Sequence, residues 1–253
     1  MDREALESVG TFGKDIQSLT PDIVIDMICL TKPSAEMLVK ALSGHVGHFL
    51  HTGTIWTHGT SVAVPIFEDA AKYPFGDYGV QKAKIETYLL KKAHQDGFPM
   101  TILHPGHIVG PGWAPLNPQG NFNPQVFSML ARGERLAVPN FGLETVHHVH
   151  AEDVARLFMA AISSRATAIG EAFHAVSEKA LTLRGYAESM SRWFGHEPDL
   201  DFLPYDQWAV GQNAEDAKAT WEHVARSPHC LMEKARRLLG FVPLHTLLVS
   251  MRN

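Results

Sequence analysis

Short apolar runs alternate with longer stretches of helical periodicity through the first half of the chain. Asp22-Ile-Val-Ile-Asp-Met-Ile28 predicts a buried strand, and about Pro33 to Leu42 a helix. Val46-Gly-His-Phe-Leu-His51 predicts the next strand. A long helix is expected from about Gly76 to His94, ended by Gly97 and Pro99, and Met100-Thr-Ile-Leu-His104 a third strand stopped by Pro105-Gly106. Strands separated by helices of this length imply right-handed crossovers and a parallel sheet.

The pattern changes after Gly112. Trp113 to Asn123 carries Pro115, Pro118 and Gly120 and reads as loop. A helix from about Pro124 to Ala131, a short strand Leu136-Ala-Val-Pro139, a strand Val146 to His150 and a helix Ala151 to Ser163 follow. Phe173-His-Ala-Val176 predicts a strand, Thr182 to Phe194 a helix with Thr182 as N-cap and Gly195 as its C-terminal stop, and residues 206–240 are mostly helical. The division expected is a partial dinucleotide-binding domain over 1–112 and a mainly substrate-binding lobe over 113–253, with about 140–176 returning to the first sheet.

Composition narrows the classes. Of 253 residues, 45% are apolar and 19% charged, a globular balance. A formal net charge of -5 and pI near 6.3 leave no basic footprint for nucleic acid. No apolar run is long enough to span a membrane, and the charged start MDREALESVG has no apolar core of a signal peptide. Cys29 and Cys230 stand far apart, so both read as reduced thiols and the compartment as cytoplasmic. The 15 histidines cluster only at His147-His148-Val149-His150, where a strand puts two on one face with no third ligand; no metal is expected.

Candidate chemistry lies in Tyr78-Gly-Val-Gln-Lys82. Residues four apart share a helix face, so a phenol and an ammonium stand side by side. A nearby cation favours phenolate and would bring a tyrosine, ordinarily near pKa 10, toward use as an acid or base. Upstream, Thr52-Gly-Thr54-Ile-Trp-Thr-His-Gly59 follows the strand ending at His51, at the sheet edge where parallel α/β proteins bind ligands.

These segments resemble the extended short-chain dehydrogenase/reductases, the NAD-dependent epimerase/dehydratase family. Leu103-His-Pro-Gly-His-Ile-Val-Gly-Pro-Gly112, His150-Ala-Glu-Asp-Val-Ala155 and Glu233-Lys-Ala-Arg-Arg-Leu-Leu-Gly-Phe-Val-Pro243, with Ser227 before it, are similar to further segments of that family in the same order. The resemblance implies a Rossmann-type parallel sheet with helices on both faces and a small C-terminal α/β lobe. It implies NAD or NADP as cofactor, a sugar-like substrate oxidised, reduced or epimerised at a secondary alcohol, and a homodimer built on the Tyr-bearing helix. Thr54, Tyr78 and Lys82 would be catalytic. Asp2, Cys29, Tyr78, Lys82 and Pro105 would meet the cofactor, and Thr54, Trp56 and His107 the substrate.

Departures qualify this reading. The family's strand–Gly-x-x-Gly-x-x-Gly–helix opening is not found, and Met1-Asp2-Arg3 resembles the segment after the family's third strand; the strand at Asp22–Ile28 is then the fourth of an N-terminally truncated sheet, and cofactor binding by this chain is in doubt. Ile55 and Trp56 replace the Asp-Glu pair of the 4,6-dehydratases, which argues against that reaction. Val146, His104 and His107 stand where the family carries Arg, Arg and Asn. The two histidines are either tolerated replacements or, with Trp56 and Trp113, a pocket for a substrate other than a nucleotide sugar, and Val146 has no charge to offer. Two other readings stay open: a non-catalytic binding or regulatory protein on the same scaffold, and an inactive fragment.

Overall fold

Residues 2–245 are described by the computed structural model; Met1 lies outside them. The chain begins with two short helices, α1 (Arg3–Ser8) and α2 (Phe12–Ser18), followed by β1 (Ile23–Asp26), α3 (Lys32–Leu42) and β2 (His48–Thr52). A 3-10 turn over Ile55–His58 leads to α4 (Gly76–Asp96), β3 (Met100–Pro105) and β4 (His107–Val109). Next come α5 (Gln125–Ala131), β5 (Leu136–Pro139), β6 (Thr145–Val146), β7 (His148–His150), α6 (Ala151–Ser163), α7 (Arg165–Ala168) and β8 (Ala172–Ala175). The remainder is β9 (Leu181–Thr182), α8 (Leu183–Trp193), β10 (Leu200–Leu203), α9 (Tyr205–Val210), α10 (Ala214–Val224) and α11 (Glu233–Leu239).

The main sheet runs β1-β2-β3-β8, all parallel. Its inner strands are apolar on both faces because helices cover both. Phe49 and Ile102 pack with Leu38, Leu42, Ile85 and Leu89 of α3 and α4. Their chain neighbours Leu50 and Leu103 point the other way, onto Val154 and Leu157 of α6. This alternation makes continuous apolar runs the sequence mark of a doubly covered strand. The fold is Rossmann-like, as expected.

β1 is an edge. Ile23 and Ile25 are 42% and 43% exposed, and Met27, Ile28 and Leu30 beyond its end are also open. The smaller lobe has its own core, in which Leu136 and Val138 of β5 meet Leu183, Tyr186 and Met190 of α8. Three features differ from the pattern reading. The expected strand Val146–His150 divides into β6 and β7, which pair with different partners. β4 and β10 were not anticipated; each has only three or four residues and pairs with a distant strand, so no local periodicity announces it. Before Asp22 the chain forms helices: Asp2 caps α1, its carboxylate accepting from Ala5 N at 3.1 Å, while Arg3 pairs with Asp26. No described helix is long and apolar enough to cross a membrane.

Candidate active site

The C-terminal ends of β1, β2 and β3 deliver the site. β2 ends at Thr52, and Gly53 follows because a side chain there would strike the His104 ring, its Cβ 2.5 Å from Nδ1. That close approach lets Thr54 N donate to His104 Nδ1 at 3.1 Å. Thr54 itself is extended, and its hydroxyl caps the 3-10 turn by accepting from Trp56 N at 3.2 Å. Gly59 ends that turn at φ 73°, packed against the Tyr73 carbonyl.

Tyr78 lies in the first turn of α4 and Lys82 one turn further, on the same face. The Lys82 ammonium sits 5.8 Å from the Tyr78 ring centre. It is 2% exposed and donates to the carbonyls of Cys29 and Thr52, each at 2.8 Å, which ties the ends of β1 and β2 to α4. Burial lowers the Lys82 pKa. From helical spacing alone, Lys82 should depress the phenol. Instead, desolvation pushes Tyr78 up, opposed by its interaction with the Thr54 hydroxyl. Lys82 gives its hydrogen bonds to the backbone, so it acts here mainly as a brace. Tyr78 remains 45% exposed and reachable by a ligand.

Around Tyr78 stands an aromatic wall. The Trp56 ring lies 5.8 Å from Tyr78, 6.2 Å from His107 and 5.1 Å from His223. His107 and His223 are 4.5 Å apart, and Phe122 flanks both. Arg226 is sandwiched between Trp56 and Phe75, its guanidinium 3.7 and 3.9 Å from the two rings, and donates to the carbonyls of Glu222 and Phe75. Burial lowers it to about 10 and keeps His223 at about 4. Thr54, Trp56, Tyr78, Lys82 and His107 are thus brought together, and Cys29 joins them through its carbonyl. Asp2 lies apart from this group, exposed and capping α1. Pro105 closes β3 opposite Ala175.

Sequence reasoning missed Glu86. It lies four residues beyond Lys82, extending the Tyr78–Lys82 stripe, and is 3% exposed. Its carboxylate binds Lys72 at 2.5 Å and His104 Nε2 at 3.2 Å. His104 and Lys72 hold it well below the usual carboxylate range. The chain Lys72–Glu86–His104–Thr54 N therefore fixes the turn that carries Thr54. Glu86→Gln is expected to destabilise the fold by about 3 kcal/mol, because one partner of a buried ion pair is removed. Urea unfolding would show a lower midpoint with an unchanged slope; an unchanged midpoint would refute the network.

A cavity of about 460 Å³ opens beside β1, lined by Ile25, Met27, Ile108, Trp113, Val154 and Phe158. β1 passes to α3 through Met27-Ile-Cys-Leu-Thr31, without glycine. Residues 31–175, more than half of the chain, match the NAD dependent epimerase/dehydratase family. The chain belongs to this family. Its fold is shared with UDP-glucose 4-epimerase from Thermotoga maritima, at TM-score 0.72 and 19% identity, over 96% of this chain and 79% of that one. A Burkholderia cenocepacia protein described as a candidate epimerase matches at TM-score 0.71 and 21% identity, over 96% and 78%. UDP-glucuronic acid 4-epimerase from Bacillus cereus, solved with UDP-glucuronic acid and NAD, matches at TM-score 0.63 and 18% identity over 87% of this chain; the chain spans 64% of that enzyme's length. No curated protein matches the chain.

Proposed function

We propose that this family member is an NAD(P)-dependent oxidoreductase or epimerase acting at a secondary alcohol of a sugar-like substrate, with Thr54, Tyr78 and Lys82 as its working trio. The observation that carries the reading is the convergence of these three side chains at the C-terminal edge of a parallel sheet, with Tyr78 open to a ligand. The two UDP-sugar epimerases that share the fold act on substrates of this class.

The nicotinamide-ribose end of the cofactor fits the residues present. The Lys82 ammonium gives two of its three donors to the carbonyls of Cys29 and Thr52, which leaves one for a ribose hydroxyl; Tyr78 stands beside it, and the apolar cavity past Met27 offers a dry wall. The turn from β1 to α3, Met27-Ile-Cys-Leu-Thr31, carries no glycine and so offers the diphosphate no close backbone approach. When bound, the nicotinamide supplies the hydride acceptor and donor. The protein residues handle the proton: the Tyr78 phenol exchanges it with the substrate oxygen, Thr54 orients that oxygen by hydrogen bond, and Trp56 and His107 offer ring faces to the sugar. In this reading residues up to 112 serve the cofactor and those after it mainly the substrate, with some of about 140–176 returning to the first sheet, where β8 pairs with β3.

Calorimetric titration with NADH and with NADPH tests the proposal. Binding in the micromolar range by either is expected; no heat from a well-folded sample would favour the non-catalytic scaffold reading.

A further inference from the structure

Three ligand-type side chains meet in the core, apart from the wall around Tyr78. His58 closes the 3-10 turn, His174 lies on β8, and Cys230 sits in the segment before α11. One ligand atom from each lies within 4.8 Å of the others, and the residues are 3%, 0% and 1% exposed. No local spacing could reveal this group, because its members come from distant parts of the chain.

The hydrogen bonds fix which atoms face inward. His174 Nδ1 is 2.9 Å from the Leu231 carbonyl, which can only accept, so the proton is on Nδ1 and Nε2 carries a lone pair. That is how metal-binding histidines are oriented, with the second nitrogen given to a backbone oxygen. His58 Nε2 lies 2.8 Å from His174 Nε2, and His58 Nδ1 is buried without a partner. Cys230 is held in place because its backbone N donates to His147 Nδ1 at 3.2 Å. Glu68 is also buried and accepts from His174 N, at 3.2 Å. A divalent ion with the thiolate of Cys230 and the carboxylate of Glu68 would give a neutral group.

We propose that His58, His174 and Cys230 supply three of the four tetrahedral ligands of one borderline-soft divalent cation of the zinc class. Two imidazoles and a thiolate are zinc's preferred donors, and tetrahedral bonds of about 2.0 to 2.3 Å place neighbouring ligand atoms roughly 3.3 to 3.6 Å apart. Side-chain shifts of about an ångström or less reach that spacing. The ion would staple the turn that begins at Thr54 to β8 and to the segment entering α11, and so connect the substrate-orienting hydroxyl to the C-terminal lobe.

Cobalt(II) is the probe, added to the purified, chelator-stripped full chain. One equivalent is expected to bind with a thiolate-to-metal absorption band in the near ultraviolet, and zinc to displace it. Cys230→Ser should remove that band and weaken binding about 100-fold or more, with an unchanged far-ultraviolet circular dichroism spectrum. Glu152→Gln should change neither, which separates the site from the second group, His150, Glu152 and His245, of which only Glu152 is exposed. A folded wild-type chain that binds no cobalt, or a band that persists in Cys230→Ser, would overturn the proposal. Neither readout depends on turnover, so it stands or falls apart from the proposed activity.

Discussion

Tyr78→Phe is expected to reduce turnover about 10³-fold while leaving cofactor affinity and thermal stability close to wild type. The change removes one oxygen from a side chain that is 45% exposed, so little packing is lost. What is lost is the hydroxyl that, in the proposed reaction, exchanges a proton with the substrate oxygen that Thr54 orients. General acid–base catalysis contributes about 10² to 10⁴-fold, or roughly 3 to 5 kcal/mol of barrier. The pH profile provides a second reading. Desolvation raises the phenol, so the folded chain holds it protonated through neutrality, and the base form grows as pH rises. Alcohol oxidation by the wild type should therefore climb toward alkaline pH, and Tyr78→Phe should flatten the climb. Equal rates in the two proteins would point to a non-catalytic scaffold.

The parts legible in the sequence are those whose physics is local. β2 and β3 announce themselves as apolar runs because α3, α4 and α6 cover both of their faces. Tyr78 and Lys82 are legible because helical spacing alone puts them on one face. Their electrostatic relationship was not legible: it depends on where the carbonyls of Cys29 and Thr52 fall, and these take both of the hydrogen bonds that Lys82 is seen to make. The role of Glu86 was hidden for a similar reason. As a charge four residues from Lys82 it reads as a solvated helix position, and only the packing of His104 and Lys72 against it makes it an interior group. Asp2 shows the converse. An acidic residue near a family-like segment read as a nucleotide contact, but an Asp three residues before a free amide also caps a helix, and here it does. The histidines were visible as a number without a purpose; the fold distributes them into the aromatic wall and the core.

That burial has a consequence for stability in acid. His48, His148 and His223 are 1%, 0% and 4% exposed, and each is held neutral down to about 4. Burial is the main cause; Arg165 adds to it at His48, His223 at His148, and Arg226 at His223. An unfolded imidazole titrates near 6.5. Between about 6.5 and about 4 the unfolded chain takes up protons that the folded chain refuses, so stability rises with pH across this window and is lost as pH falls. At pH 5 each of the three costs about 2 kcal/mol, and together about 6 kcal/mol. His51 and His107, held well below their ordinary value, act in the same direction. Domains of this kind carry only about 5 to 15 kcal/mol in total. The urea midpoint is therefore expected to fall steeply between pH 7 and pH 5, with the chain at or near spontaneous unfolding at the lower value. His148→Gln, which replaces an imidazole bonded to the Leu116 carbonyl by an amide that does not titrate, should recover about 2 kcal/mol of the difference between the two pH values. A midpoint that stays level from pH 7 to pH 5 would mean that the folded core accepts the protons and that these imidazoles are charged where they lie.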